Sequence, residues 1–313
     1  MEIKATVNRW NEAKARGFVA PTTLPDSAIA ADWSRANRDW WESNPMRYDW
    51  RTPLGAEPLS RQWFAEIDRR FFESARVYMP WSVAPFDQLI PYHELESQRV
   101  LEIGVGIGSH AQLLARAAGS FVGIDLTEYA AQATSRRLEL AGIKGQVCRM
   151  DAERLALADC SIDLAWSWGV IHHAPDTRQA LSEIHRVLRP GGAAITMVYH
   201  RSVWLWWVIG FALHGILRGR LAELGTIHRV VQEVTDGALA RYYRPHEWRA
   251  LCGEFFEIER LKVYGAKNEL IPLPSGRLKN LLMNSLPDAI VRLVCNHLRF
   301  GSFLVTVLRK APL

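Results

Sequence analysis

"VLEIGVGIGSHAQLLA", residues Val100 to Ala115, decides how this chain is read. An apolar run ends in Glu102, glycines follow at 104, 106 and 108, and a helical pattern begins at once after them. Glycines between a strand and a helix bring backbone close to a nucleotide, so the question is which nucleotide. A nicotinamide or flavin site expects the third glycine three residues after the second, where this chain has Ser109.

Outward from that stretch, Arg99 to Tyr199 alternates short apolar runs with helical patterns. RVLEIGV (99–105), SFVGIDL (120–126), GQVCRMD (145–151), IDLAWSW (162–168) and AAITMVY (193–199) read as strands. SHAQLLARAAG reads as a helix with Ser109 as N-cap and Gly119 as C-cap, and TEYAAQATSRRLELAG as one capped by Thr127 and closed by Gly142. DTRQALSEIHRVLRPGG carries Asp176 and Gln179 at capping-box spacing and is stopped by Pro190. Such alternation predicts a parallel sheet with helices on both faces. Further on, RPHEWRALCGE reads as a helix leading to the strand FFEIERLKVYG, and GSFLVTVLR as a last strand after a helical insertion.

Upstream, Asp26 or Ser27 caps a helix whose apolar stripe is Ile29, Trp33, Ala36 and Trp40, and Pro45 ends it. Ser60 caps a second helix with Trp63, Ile67, Phe71 and Ala75 on one face. Seven of the thirteen tryptophans precede residue 99, which marks this segment as an aromatic arm.

Glu102 with the three glycines makes acidic-x-Gly-x-Gly-x-Gly. That resembles motif I of the class I S-adenosylmethionine (SAM) methyltransferases, and SIDLAWSWGVIHHAPD followed by EIHRVLRPGG resembles the type 11 group, which includes the ubiquinone- and menaquinone-biosynthesis-like enzymes. The resemblance covers residues 99–200 and the last two strands. It implies a seven-stranded, doubly wound α/β sheet of Rossmann-like form, with SAM as cofactor and S-adenosylhomocysteine as product. Asp125 ends the second strand, where a carboxylate accepts both ribose hydroxyls. SAM carries no phosphates, and the loop holds no lysine or arginine. Asp151 ends the third strand and is placed for the adenine amino group. The cofactor-binding set is Glu102, Gly104, Gly106, Gly108, Asp125, Leu126, Asp151, Ala152, Trp168 and, from the arm, Tyr48, which resembles a tyrosine that closes over the methionyl group in related enzymes.

Methyl transfer from a sulfonium needs an aligned nucleophile, exclusion of water and, for a hydroxyl or protonated amine, a base. Imidazole titrates near neutrality. His172 and His173 follow the fourth strand and His200 the fifth, so these are the candidate bases; a purely structural role stands beside each. Where a magnesium site of the catechol-methyltransferase kind needs carboxylates, the chain has Trp168, Tyr199 and His200, so no metal is expected. Four cysteines without a CxxC spacing point away from zinc or a disulfide framework and suit a reducing cytoplasm. No Asn/Asp-Pro-Pro-aromatic motif follows the fourth strand, and no basic stripe accompanies the net charge of +5, so no nucleic-acid partner is expected.

The run VWLWWVIGFALHGIL (203–217) is too short for a membrane span of about 20 residues. It is apolar all round, which fits either a buried cap or a membrane-surface element flanked by Arg201, Arg218 and Arg220. Either makes a greasy roof beside the fifth strand, with Tyr199, Trp204, Trp207 and Tyr243 as acceptor-binding candidates. The expected layout is a helical arm or lid at 1–98 and a SAM-binding domain at 99–313, with acceptor-side insertions at 201–245 and 265–300. MEIKATVNRWNEAKARG lacks the apolar core of a signal peptide. Three functions remain: methylation of a small lipophilic or aromatic metabolite at oxygen, nitrogen or carbon, methylation of a saccharide or lipid head group, and a non-catalytic SAM-binding interaction protein.

Overall fold

A computed structural model describes residues 26–49, 53–271, 273 and 276–312. The N-terminal stretch read above against a signal peptide lies outside the described residues. The strands are β1 (Arg99–Ile103), β2 (Ser120–Asp125), β3 (Gln146–Arg149), β4 (Ile162–Trp168), β5 (Leu188–His200), β6 (Tyr242–Tyr243), β7 (Glu257–Tyr264) and β8 (Phe303–Arg309). Their order is β3-β2-β1-β4-β5-β8-β7, with the two-residue β6 paired to the end of β5. β1 to β5 are parallel, as the alternation predicts. β8, whose direction the alternation over residues 99–199 leaves unset, runs antiparallel to β5 and β7. The segment joining β7 to β8 leaves from Tyr264 and returns opposite it at Phe303, at one edge of the sheet, so β8 must run back.

Both faces of the sheet are covered, which is why β1 and β4 read as nearly unbroken apolar runs. The arm supplies α1 (Ser27–Ser43) and α2 (Arg61–Tyr78), and the domain α3 (Ser109–Ala117), α4 (Glu128–Ala141) and α5 (Thr177–Val187). On one face α5 and Trp248 pack on Leu101, Ile103 and Ala165. On the other, Phe71, Ala75 and Tyr78 of α2 pack with Leu114 and Leu138 over Val100, Leu164 and Trp166. The α2 stripe is buried as its spacing predicts, and Ser60 accepts from Trp63 N at 3.2 Å. Asp26 caps α1 through Ala28 N.

Three boundaries differ from expectation. Gly108, at φ 82°, is the N-cap of α3, and Ser109 is its first residue. That helix ends at Ala117 rather than at Gly119, which is a glycine because a Cβ there would lie 2.4 Å from Glu96 O. β5 begins at Leu188, so Pro190–Gly192 lies inside the strand, and the pairing with β4 shifts register there.

Val203–Leu217 folds as a π-helix with Ser202 as its cap. Trp206, Gly210 and Gly215 are buried, while Val203, Trp207, Val208, Ile216 and Leu217 are exposed. It is thus a two-faced element, not one buried all round. No helix among the described residues is long and apolar enough to cross a membrane.

Candidate active site

The carboxyl ends of β1, β2, β4 and β5 share one edge of the sheet. The glycine loop leaves β1 with Gly104 N and Val105 N donating to Ile124 O, at 2.8 and 3.1 Å. Gly104, Gly106 and Gly108 have φ of 79°, 54° and 82°, a region that favours glycine. A Cβ on Gly104 would lie 2.1 Å from Val170 Cγ2, and one on Gly108 2.9 Å from Thr134 Oγ1. At Gly106 it would meet nothing within 4 Å, so this one backbone unit faces open space.

Asp125 stands beside it. Its Oδ2 accepts from Gly106 N at 3.1 Å, and its Oδ1 from Thr127 N at 3.0 Å and Thr127 Oγ1 at 2.8 Å. Three of the carboxylate's about four acceptor sites are thus used, and the open one is on Oδ2. Burial raises the Asp125 pKa against those hydrogen bonds. Glu102 is buried, its Oε2 has no partner among the described residues, and burial plus the Asp125 charge hold its carboxyl well above the ordinary range. Asp151 follows β3, accepting from Glu153 N at 2.9 Å, with Leu126 and Ala152 half-buried nearby in sequence. Burial pushes Glu153 up to about 7.

The arm is stitched to this edge at three points that sequence reasoning missed. Glu42 accepts from Glu128 N and Tyr129 N, at 2.9 and 3.0 Å, and so satisfies open donors at the start of α4. Asp68 pairs with buried Arg137, which also donates to Ile107 O of the glycine loop at 3.1 Å. Asn37 donates to His173 O at 2.6 Å and accepts from Ala238 N and Leu239 N, at 2.9 and 3.0 Å. No spacing in the chain links Glu42 to a helix start 86 residues away. Asn37 does sit one position off the apolar stripe of α1, the only local sign of its burial.

At the end of β4 and β5 the structure gathers His172, His173 and Tyr199. The His172 ring lies 4.1 Å from that of His173 and 4.0 Å from that of Tyr199. Trp41 of the arm meets His173 edge-on at 5.1 Å, and Tyr199 Oη donates to Asp236 Oδ2 at 3.4 Å. Tyr48 packs on Phe71, and burial and Asp236 raise its hydroxyl pKa. The three histidines differ. His173 Nδ1 lies 2.6 Å from Leu239 O, which can only accept, so Nδ1 carries the proton and Nε2 is the basic nitrogen. His172 is fully buried with no hydrogen bond to either ring nitrogen among the described residues, and burial drives its pKa well down. His200 donates through Nδ1 to Gly301 O at 2.6 Å, tying β5 to the start of β8; burial lowers its pKa.

Trp168 stacks on Trp166 at 5.3 Å and meets Phe86 at 4.9 Å, within an aromatic cluster under the arm. Trp204 is half-buried and Trp207 exposed on the π-helix. Tyr243 pairs with His200 across β6 and β5, and its side chain is fully buried against Trp248 in the core.

Residues 101–196 match the family model described as a methyltransferase domain, of the type 11 group. The chain is 28% identical to a ubiquinone biosynthesis O-methyltransferase of Aromatoleum aromaticum, over 61% of this chain and 82% of that one. It is 34% identical to an uncharacterized 37.1 kDa transposon protein of Streptomyces fradiae, over 46% of each. A phthiotriol/phenolphthiotriol dimycocerosates methyltransferase of Mycobacterium ulcerans is 36% identical over 34% of this chain and 41% of its own. The chain spans less than half the length of the second and third of these relatives, 46% and 41%. Among solved structures, a chain in the complex of the Haloferax volcanii Trm112 methyltransferase activator with a methyltransferase superposes with a TM-score of 0.53, at 16% identity, over 88% of this chain and 98% of that one.

Proposed function

We propose that this chain, whose residues 101–196 form a class I SAM-dependent methyltransferase domain of the type 11 group, transfers methyl from SAM to a small lipophilic or aromatic acceptor. The observation that carries the reading is the open backbone at Gly106, bonded to Asp125, with the buried Glu102 carboxyl in the field of Asp125 and its Oε2 without a partner among the described residues. A buried carboxylate oxygen without a partner is costly unless a ligand supplies one. These residues fit a cofactor that has ribose hydroxyls and an ammonium group and no phosphate.

In this reading Gly104, Gly106 and Gly108 shape the cradle and Asp125 accepts from the ribose. Glu102 faces the amino-acid portion, and Asp151 with Leu126 and Ala152 borders the base. Bound SAM supplies a methyl already activated on sulfur. The chain's own work is then to align the acceptor, exclude water and take its proton. Proton removal falls to His173, whose tautomer is set by Leu239 O and whose ring lies in the Trp41–Tyr199 cluster. His200 and His172 serve as packing and tethering groups, and Tyr48, Trp168 and Tyr199 line the methyl side. Trp204 and Trp207 offer the acceptor an apolar approach, whereas core-buried Tyr243 has no part. Relatives named for quinone and phthiotriol methylation agree with a lipophilic acceptor. The exposed face of the π-helix favours, as a second reading, a lipid whose head group is methylated.

Calorimetric titration tests the cofactor. SAM and S-adenosylhomocysteine should bind, and Asp125→Ala should weaken both by roughly 1.5–3 kcal/mol. Binding of NADH with none of SAM would sink the reading. Turnover screens with quinols, phenols and lipid extracts then sort the acceptors.

A further inference from the structure

The second insertion, between β7 and β8, carries a surface that the methyl-transfer reading leaves unused. Of the thirteen large apolar side chains exposed among the described residues, seven lie between Leu278 and Phe300. Leu278, Leu281, Leu293 and Leu298 are each more than half exposed. The helix Arg277–Ser285 has no buried residue at all. A nine-residue helix is marginal in water unless its apolar side is covered. An exposed apolar patch of this kind marks an interaction surface.

Charge indicates what covers it. A cavity of about 470 Å³ opens between β7 and the stretch Arg292–His297. Its lining includes Lys262, Arg292, His297 and Arg299 and no aspartate or glutamate. None of Lys262, Arg292 and Arg299 has a carboxylate partner among the described residues; Arg292 donates to Val77 O at 3.0 Å. Asn296 donates to Tyr78 O at 2.8 Å, and its Oδ1 is buried without a partner among the described residues. Three cations without a carboxylate partner among the described residues, beside a greasy segment, match a surface that is apolar inside and negative outside. That is a bilayer containing anionic lipid.

We propose that Arg277–Phe300 docks this protein on the surface of an anionic membrane. Leu278, Leu281, Leu293 and Leu298 enter the acyl boundary, and an anionic lipid head group occupies the cavity framed by Lys262, Arg292 and Arg299. The insertion is rooted at the same edge as the candidate active site: Gly301 O holds His200, and Ser302 Oγ bonds Ser202 Oγ at 2.9 Å and Glu269 at 2.6 Å. The docking stands independently of the methyl-transfer reading, because its readout is vesicle binding.

The test is flotation of the full chain with two vesicle types, phosphatidylcholine alone and phosphatidylcholine mixed with phosphatidylglycerol. The protein should float with the mixed vesicles, and high salt should weaken this. Lys262→Gln with Arg299→Gln should lower affinity about 30-fold, from roughly 1 kcal/mol per basic residue at an anionic surface. Leu281→Glu should abolish flotation. Both sites are at the surface, so melting temperature and SAM affinity should match the parent protein and show that the variants are folded. Several results would overturn the proposal. One is a protein that ignores both vesicles yet binds inorganic phosphate. Another is a dimer in light scattering that Leu281→Glu dissolves while vesicles are ignored. A third is flotation that survives Leu281→Glu and is lost with Trp207→Glu, which would move the docking surface to the π-helix.

Discussion

Asp125 finds its partners at Gly106 and Thr127, nineteen and two residues away; His200 finds Gly301 at a distance of 101 residues. The two belong to neighbouring halves of one sheet edge. At the β1–β2 edge, the Asp125 carboxylate is fixed by a turn and a cap that close within one strand–helix–strand unit. In the β5–β8 half the polar groups are fixed by chain that leaves the sheet and returns, as in Ser202 with Ser302. Local closure orders few residues for each contact. Long closure must order a whole insertion, and such parts open more readily. On the function proposed above, the first half holds the cofactor and the second faces the acceptor.

The largest effect that would break this comparison concerns turnover. Replacing His173 by Ala should lower the rate by about 10²–10⁴ for a hydroxyl or protonated-amine acceptor. SAM affinity should barely move, because the loss belongs to the transition state. His200→Ala should leave the rate per folded molecule nearly unchanged and lower the melting temperature. Single-turnover kinetics on both variants decides; the reverse pattern would make His200, not His173, the chemical group.

The glycines sharpen the contrast next. Gly104→Ala combines a left-handed φ with a Cβ 2.1 Å from Val170, so denaturation should show a loss of roughly 2–4 kcal/mol. Gly106→Ala meets no neighbour and should lose only about 1–2 kcal/mol from its φ. Yet Gly106→Ala should be the variant that weakens SAM binding while still folded. Equal SAM affinity in Gly106→Ala and the parent protein would remove the cradle from the cofactor.

Those glycines were legible because a strand, a helix and a positive-φ loop all leave local marks. Asp125 was legible as a strand end, Asp151 as a residue just past one, Glu102 through its resemblance to motif I, and the caps at Asp26, Ser60, Thr127 and Asp176 from one residue and its successors. Asn37, Glu42 and Asp68 were not legible. Each is a polar residue on a helix that reads as solvated until the other partner, 69 to 202 residues on, is brought to it. The direction of β8 was hidden for the same reason, since apolar alternation is identical for either strand polarity. Val203–Leu217 left its two readings open for another reason: nearly uniform apolarity carries no periodicity from which to tell the buried face from the bare one.

Titration separates the halves again, at opposite ends of the pH scale. The folded pKa of Glu102 is raised, so its contribution to stability is whole below the ordinary value of 4.5 and is lost as pH climbs through the folded value. Glu102→Gln should therefore gain on the parent protein as pH rises, at up to about 1.4 kcal/mol per pH unit within that window. The same change should weaken SAM, as the orphaned Oε2 would no longer carry charge. Urea denaturation between pH 4 and about 8 measures the first effect. A constant difference across that range would mean that Glu102 is not desolvated.

The smallest effect lies on the acid side, in His200. Burial lowers its pKa, with Arg201 and Arg299 acting in the same direction and the Gly301 carbonyl opposing them. A histidine with a depressed folded pKa stabilises fully above its unfolded value near 6.5, and that stability is lost as pH falls toward the folded value, because the unfolded chain takes up the proton first. The loss is at most about 1.4 kcal/mol per pH unit in that window. His200→Gln keeps a donor for Gly301 O and cannot titrate. It should be less stable than the parent at neutral pH, and the gap should narrow as pH drops from about 7 to 5.5. His172 and His110 also titrate low through burial, so the parent curve alone does not isolate His200; the difference between parent and variant does. A gap that widens toward acid would mean that His200 binds its proton more tightly when folded. The tether between β5 and β8 would then be an ion–dipole contact with Gly301 O, and the long-range half would be strongest at low pH rather than weakest.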